Sequence, residues 1–160
     1  AMPIYGNDMV IKQIRQEFNY IFESNYPGIP SIEIHQIDNT PFNIGNLLIT
    51  PIMVLHHKLP VFGYRIKDFT YITDANAIPA HEMKKILGTK VLVINALQRN
   101  NHISHFTLDE ALDVIKQIAP EQAYLTHISH NLGLYEDLAS ELPPNVTLAY
   151  DGLSVTLPNA

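Results

Sequence analysis

Phe69-Thr70-Tyr71-Ile72-Thr73-Asp74 is an apolar-leaning run that stops abruptly on a carboxylate, and Ala123-Tyr124-Leu125-Thr126-His127-Ile128-Ser129-His130 repeats the device with imidazoles. A buried strand that ends this way projects its last side chain into the crevice beyond the sheet edge, where α/β hydrolytic sites are commonly built. Two further runs behave alike. Leu47 to Leu55 ends in His56-His57, and Val91 to Leu97 leads to His102 and His105. Every histidine except His35 and His81 therefore lies just past an apolar run.

Working outward from these runs, helical spacing at Val10, Ile14, Phe18, Ile21 and Phe22 predicts a helix capped at Asn7 or Asp8 and closed by Tyr26-Pro27-Gly28. Alternation from Ile32 to Asp38 predicts a strand. Pro51 inside the Leu47–Leu55 run implies an edge or a bulge. Val61–Ile66 and Phe69–Thr73 flank Lys67-Asp68 as a hairpin. Pro79 opens a helix to Leu87 that Gly88 ends. Val91–Leu97 is apolar almost throughout, as a strand buried on both faces should be. Thr107 and Glu110 form a capping box for the next helix, which Ala119-Pro120 stops. Ala123–Thr126 is a strand, Leu134–Leu142 a helix, and Val146–Tyr150 with Leu153–Leu157 a hairpin around Asp151-Gly152. The result is an α/β chain, expected to form a single domain over residues 1–160.

Composition narrows the function. Hydrophobic residues make up 46% of the 160 and charged ones 16%, which describes a packed interior and not a disordered tail. A net charge of −6 with no basic stripe disfavours a nucleic-acid partner. With no cysteine, disulfides and thiolate metal sites are excluded, and a reducing cytoplasm is the expected location. No apolar stretch approaches the roughly 20 residues of a membrane span.

Each candidate residue also has an ordinary explanation. Asp74 could be a turn residue ahead of Ile78-Pro79. His127 and His130, spaced i,i+3, could share a crevice or lie on the surface. At His102 and His105, at the same spacing, a histidine could donate a proton to a leaving group or simply lie near a helix start, whose positive dipole end disfavours its charged form. His56 and His57 point opposite ways, so at most one faces a site. Together they form an Asp-and-His inventory suited to a hydrolytic centre using zinc, manganese or iron. No Gly-x-Ser-x-Gly elbow supports a serine triad, and no phosphate-cradling glycine loop occurs.

His56-His57-Lys58-Leu59-Pro60, Gly63-Tyr64-Arg65, Tyr71-Ile72-Thr73-Asp74, Val93-Ile94-Asn95-Ala96-Leu97, His105-Phe106-Thr107-Leu108-Asp109-Glu110-Ala111, Leu125-Thr126-His127-Ile128-Ser129-His130 and Ala149-Tyr150-Asp151-Gly152 together resemble the metallo-β-lactamase superfamily. The branch they are most similar to contains the cyclic-phosphate phosphodiesterases of phosphonate breakdown, with tRNase Z more distant. The resemblance implies an αβ/βα sandwich and a binuclear centre of zinc or manganese, or of iron. It implies that His56 and His127 are metal ligands and that Asp74 bridges the metals. It further implies that His105 protonates the leaving alkoxide and that His130 orients a ligand from behind. His57 and His102 are left as surface residues. The implied substrate is a small (cyclic) phosphate diester.

The family's early His-x-His-x-Asp-His motif has no counterpart here. The chain is therefore expected to be the C-terminal portion of a longer metal-dependent phosphodiesterase, inactive by itself and self-associating through the surface so exposed. A non-catalytic binding or oligomerising module that kept the fold is the alternative, and an RNA-processing relative is disfavoured by the acidic balance.

Overall fold

The apolar runs pair into one seven-stranded sheet whose strands lie side by side in chain order. Its strands are β3 (Phe42–Ile44), β4 (Leu47–His56), β5 (Leu59–Ile66), β6 (Phe69–Ile72), β7 (Val91–Asn95), β8 (Gln122–Thr126) and β9 (Val146–Leu148). The computed structural model describes residues 1–23 and 27–157, and their contacts gather into two units, residues 1–42 and 43–160.

In the first unit, β1 (Met2–Gly6) and β2 (Ile32–Gln36) form a parallel two-stranded ribbon. The expected cap is present, with Asn7 Oδ1 accepting the Val10 N–H at 2.9 Å. The helix it starts is shorter than its periodicity predicts. It runs Asp8–Glu17 (α1), breaks at Phe18 (φ −115°, ψ 36°), and resumes as α2 (Asn19–Glu23). Ile11 is its one buried residue, so little tertiary packing holds a longer helix together. Tyr26, expected in the closing turn, lies outside the described residues.

In the second unit, β4, β5 and β6 run antiparallel, in register from Ile49↔Ile66 to His56↔Leu59 and from Tyr64↔Tyr71 to Ile66↔Phe69. Pro51 occupies the edge position its chemistry demands. β3 covers only one end of β4, and farther along the outer edge is met by side chains of α3 (Ala80–Ile86). Glu82, 1% exposed, accepts the Met53 N–H at 3.0 Å, while Lys85 donates to the Pro51 carbonyl at 3.0 Å. These two side chains, themselves paired at 2.9 Å, do what a neighbouring strand would otherwise do, and proline's missing N–H leaves no donor unmet.

From β6 onward the sheet is parallel, with α3, α4 (Leu108–Ile118) and α5 (Tyr135–Glu141) between successive strands. All five residues of β7 are buried, four as its apolar run requires and the fifth, Asn95, with its amide bonded. Ile52, Ile72, Leu92, Ile94 and Leu125 are fully buried in one core with Ala111 and Ile115 of α4. The capping box is formed: Glu110 N–H donates to Thr107 Oγ1 at 3.2 Å and Thr107 N–H to Glu110 Oε2 at 2.8 Å.

Strand direction gathers the chemistry-bearing residues at one edge. Ile72, Ile94 and Leu125 lie side by side in parallel register. Two antiparallel steps separate β4 from β6, so β4 ends at that same edge. His56, Asp74, Ala96 and His127 therefore all leave the sheet on one side.

The tail corrects one expectation. Asp151-Gly152 does turn, with Leu153 N–H bonded to the Tyr150 carbonyl at 3.0 Å, but residues 153–157 form no strand. Instead Leu153 and Val155 line a pocket with Phe69, Tyr71, Val93 and Tyr124. Apolar side chains with a sheet face to cover gain more there than in a two-stranded ladder that buries nothing. Among the described residues no helix is long and apolar enough to cross a membrane.

Candidate metal centre

The loops after β4, β6, β7 and β8 are tied together by backbone and amide hydrogen bonds before any functional side chain is considered. Asn95, the fully buried last residue of β7, uses its amide like a short piece of strand. Its Oδ1 accepts the Ala75 N–H and its Nδ2 donates to the Ala75 carbonyl, both at 2.9 Å. That carbonyl also accepts the Phe106 N–H at 2.7 Å, and Leu97 N–H bonds the Phe106 carbonyl at 2.9 Å. Asp74 and His105 immediately precede the residues so pinned. The end of β4 is fastened to the same loop: Leu55 exchanges bonds with Asn76 and Ala77, and His57 N–H donates to Asn76 Oδ1 at 2.7 Å.

Strain appears where these loops begin. Asp74 (φ 53°), His127 (φ 54°) and His57 (φ 57°) hold left-handed backbone conformations, which for side chains other than glycine cost free energy and persist only where surroundings impose them. Two of the three lie at the centre itself.

Asp74 is the hub. Its Oδ1 is 3.2 Å from His105 Nε2 and 3.4 Å from His127 Nε2, while Oδ2 accepts from Thr73 Oγ1 at 3.1 Å. The His105 ring stacks on His127 at 4.7 Å and meets His56 edge-on at 4.8 Å. Ligand atoms of His56, Asp74 and His105 lie within 4.8 Å of one another. Burial works to raise the Asp74 pKa, but the hydrogen bond from His105, the charge of His127 and the Thr73 hydroxyl outweigh it and hold the carboxyl below its ordinary value. His105, 8% exposed, is pushed below the ordinary imidazole value chiefly by burial, against the hydrogen bond to Asp74, with His127 and His56 adding repulsion.

Of the residues singled out in the sequence, His56, Asp74, His105 and His127 come together. His130 does not: it is exposed and makes no hydrogen bond to this group. His57 is exposed, as expected. His102 is a correction. It is half-buried, with Nδ1 3.1 Å from His105 Nδ1, while Ile103 between the two stays exposed. Asn95 was not singled out as functional, although an amide closing a wholly apolar run was a visible signal of the kind that marked Asp74.

The side chains gathered here suit a divalent cation: imidazoles and a carboxylate, with no thiolate, fit zinc, manganese or iron. Beside His127 lies a space of about 270 Å³ lined by Thr126, Ile128, Ala149, Tyr150 and Asp151.

Known proteins resemble this chain in sequence and in structure. A family described as the beta-lactamase superfamily domain matches residues 1–128. An octanoyltransferase of Porphyromonas gingivalis (strain ATCC BAA-308 / W83) is 33% identical over 159 residues, 98% of this chain and 32% of that protein. The crystal structure of a diphosphatase from the PhnP family superposes with TM-score 0.86 at 30% identity, over 94% of this chain and 56% of that one. The short form of human tRNase Z superposes at 0.67 with 16% identity, over 98% and 68%, a likeness of fold. The chain thus spans about a third of the curated relative and about half of the diphosphatase.

Proposed function

The chain belongs to the beta-lactamase superfamily, and we propose that it carries part of the active site of a metal-dependent phosphoesterase acting on a small phosphate diester or anhydride. The observation that supports this most is the convergence of His56, His105 and His127 on Asp74 at one sheet edge. The 30%-identical diphosphatase supports phosphate chemistry. Octanoyl transfer is not carried over, because this chain matches only 32% of that relative.

In this proposal His56, Asp74 and His127 hold the cation, and His105 delivers a proton to the departing oxygen from Nε2. A divalent ion supplies positive charge that offsets the phosphoryl oxygens and makes water a better nucleophile at neutral pH. The chain's own residues do the placing. Asn95 and Phe106 fix Asp74 and His105 relative to each other, and the space past His127 offers the substrate room beside the centre. Proton delivery of this kind is worth roughly 10²–10⁴-fold in rate.

Calorimetric titration with Zn²⁺ and Mn²⁺ tests the reading. Stoichiometric binding by the wild-type chain, lost in Asp74→Ala, is the expected result. Binding unaffected by that substitution would favour the alternative of a non-catalytic module, whereas no binding at all would mean that the centre is complete only in a longer parent protein. His105→Ala should still bind zinc; if it does not, His105 belongs to the ligand set and not to proton transfer.

A further inference from the structure

His102 has no assigned role, yet its ring is built into the centre. Its Nδ1 stands 3.1 Å from Nδ1 of His105, and Ser104 Oγ lies 3.0 Å from the latter and 3.4 Å from the former. The rings are tilted with centroids 5.0 Å apart. Two bare imidazole lone pairs repel at such a separation, and two N–H groups collide. The contact is attractive only when one proton lies between the nitrogens.

Two arrangements of neutral rings meet that condition. In one, His105 Nε2–H donates to Asp74 Oδ1, and His105 Nδ1 accepts from His102 Nδ1–H. In the other, His105 carries its proton on Nδ1 and donates it to His102, leaving its Nε2 lone pair beside Asp74. The Ser104 N–H, 3.4 Å from His102 Nδ1, goes with the second. A carboxylate oxygen and a bare nitrogen 3.2 Å apart repel each other, so the metal-free chain favours the first arrangement. A side chain able both to give and to accept at the same atom serves either state, and imidazole is one of few that can.

We propose that His102 is a positioning residue: it holds the His105 ring through one proton shared between the two Nδ1 atoms, and so keeps Nε2 turned to the site with its proton. Its functional consequence rests on the hydrolytic reading above, but the proton arrangement does not.

The test is a long-range ¹H–¹⁵N correlation of the histidine rings in the metal-free chain at about pH 8.5, well above the ordinary imidazole pKa. The wild type should show one of the two Nδ1 atoms protonated and the other bare. His102→Asn, whose amide places a donor or an acceptor near the same point, should leave His105 in a single tautomer. His102→Leu combined with Ser104→Ala should leave Nε2 protonated beside Asp74 but move the His105 Nδ1 resonance towards that of a nitrogen with no hydrogen-bond donor, in a chain that remains folded by circular dichroism. Both Nδ1 atoms protonated or both bare in the wild type would overturn the inference, as would an unchanged His105 pattern in the double variant. Failure of that double variant to fold passes the decision to the wild-type pattern. Titrating Zn²⁺ into the same sample and into Asp74→Ala separates the two readings. If Asp74→Ala takes up zinc as the wild type does, the hydrolytic proposal fails while the metal-free pattern still decides the role of His102.

Discussion

The loops carrying His102/His105 and His127/His130 share one spacing and meet different fates. In the first, both imidazoles touch, and the second of them is buried against Asp74. In the second, His127 reaches Asp74 and His130 stays in solvent. An i,i+3 spacing therefore does not place two side chains in one site. What differs is the anchor. Phe106 follows His105 directly and is held from two sides, by Ala75 and Leu97, whereas the His127 loop is tied back to the Leu97 carbonyl at Ser129, one residue before His130. Beyond that tie the chain turns away, with Asn131 N–H bonding the Ser129 hydroxyl at 3.2 Å.

The strongest way to break this contrast is to cut the anchor of the first loop. Asn95→Leu leaves the Ala75 N–H buried without an acceptor, at a cost of about 2–3 kcal/mol in urea unfolding, and should weaken zinc binding although Asn95 touches no ligand. Zinc affinity unchanged in a destabilised variant would show that the anchor serves stability alone. Thr107→Ala removes the cap two residues beyond His105 and should cost about 1 kcal/mol. Its effect on zinc should be small, since the loop is pinned upstream of the cap.

Acid should separate the two loops further. The unfolded chain protonates His105 and Asp74 more readily than the folded one, because the fold lowers both pKa values. The unfolded state then binds more protons, so stability rises with pH. The His105 contribution is complete above the ordinary imidazole value and disappears as pH falls below it. The Asp74 contribution is lost lower, as pH falls through its depressed folded value. His105→Asn should flatten the dependence of the urea midpoint on pH between about 5 and 7. A slope unchanged in that variant would assign the acid sensitivity elsewhere. His130→Ala should do least, within about 0.5 kcal/mol in stability and with zinc affinity intact.

Much of the fold was legible because local chemistry reports it. The four apolar residues that open β7, the Thr107–Glu110 box and the strand-ending Asp74 and His127 each carry their explanation within a few residues. The tail misleads for the same reason. Asp151-Gly152 is a good turn signal, but whether Leu153 and Val155 form a strand depends on a sheet face contributed by Phe69, Tyr71 and Tyr124, distant in sequence. His102 escapes likewise. Its neighbours in the chain describe a surface loop, and the bonds that hold Phe106 to Ala75 and Leu97, distant in sequence, set His105 where the His102 ring meets it.

The sequence by itself determined that this is an α/β chain of the beta-lactamase superfamily and that histidines and an aspartate end its strands. Periodicity, caps and strand termini are short-range properties, and side-chain pattern suffices to specify them. Tertiary structure alone decided which of those side chains meet. Convergence on Asp74 depends on strand order and direction, on the Asn95 amide bridging two loops, and on left-handed turns at Asp74 and His127 that only surrounding contacts can sustain.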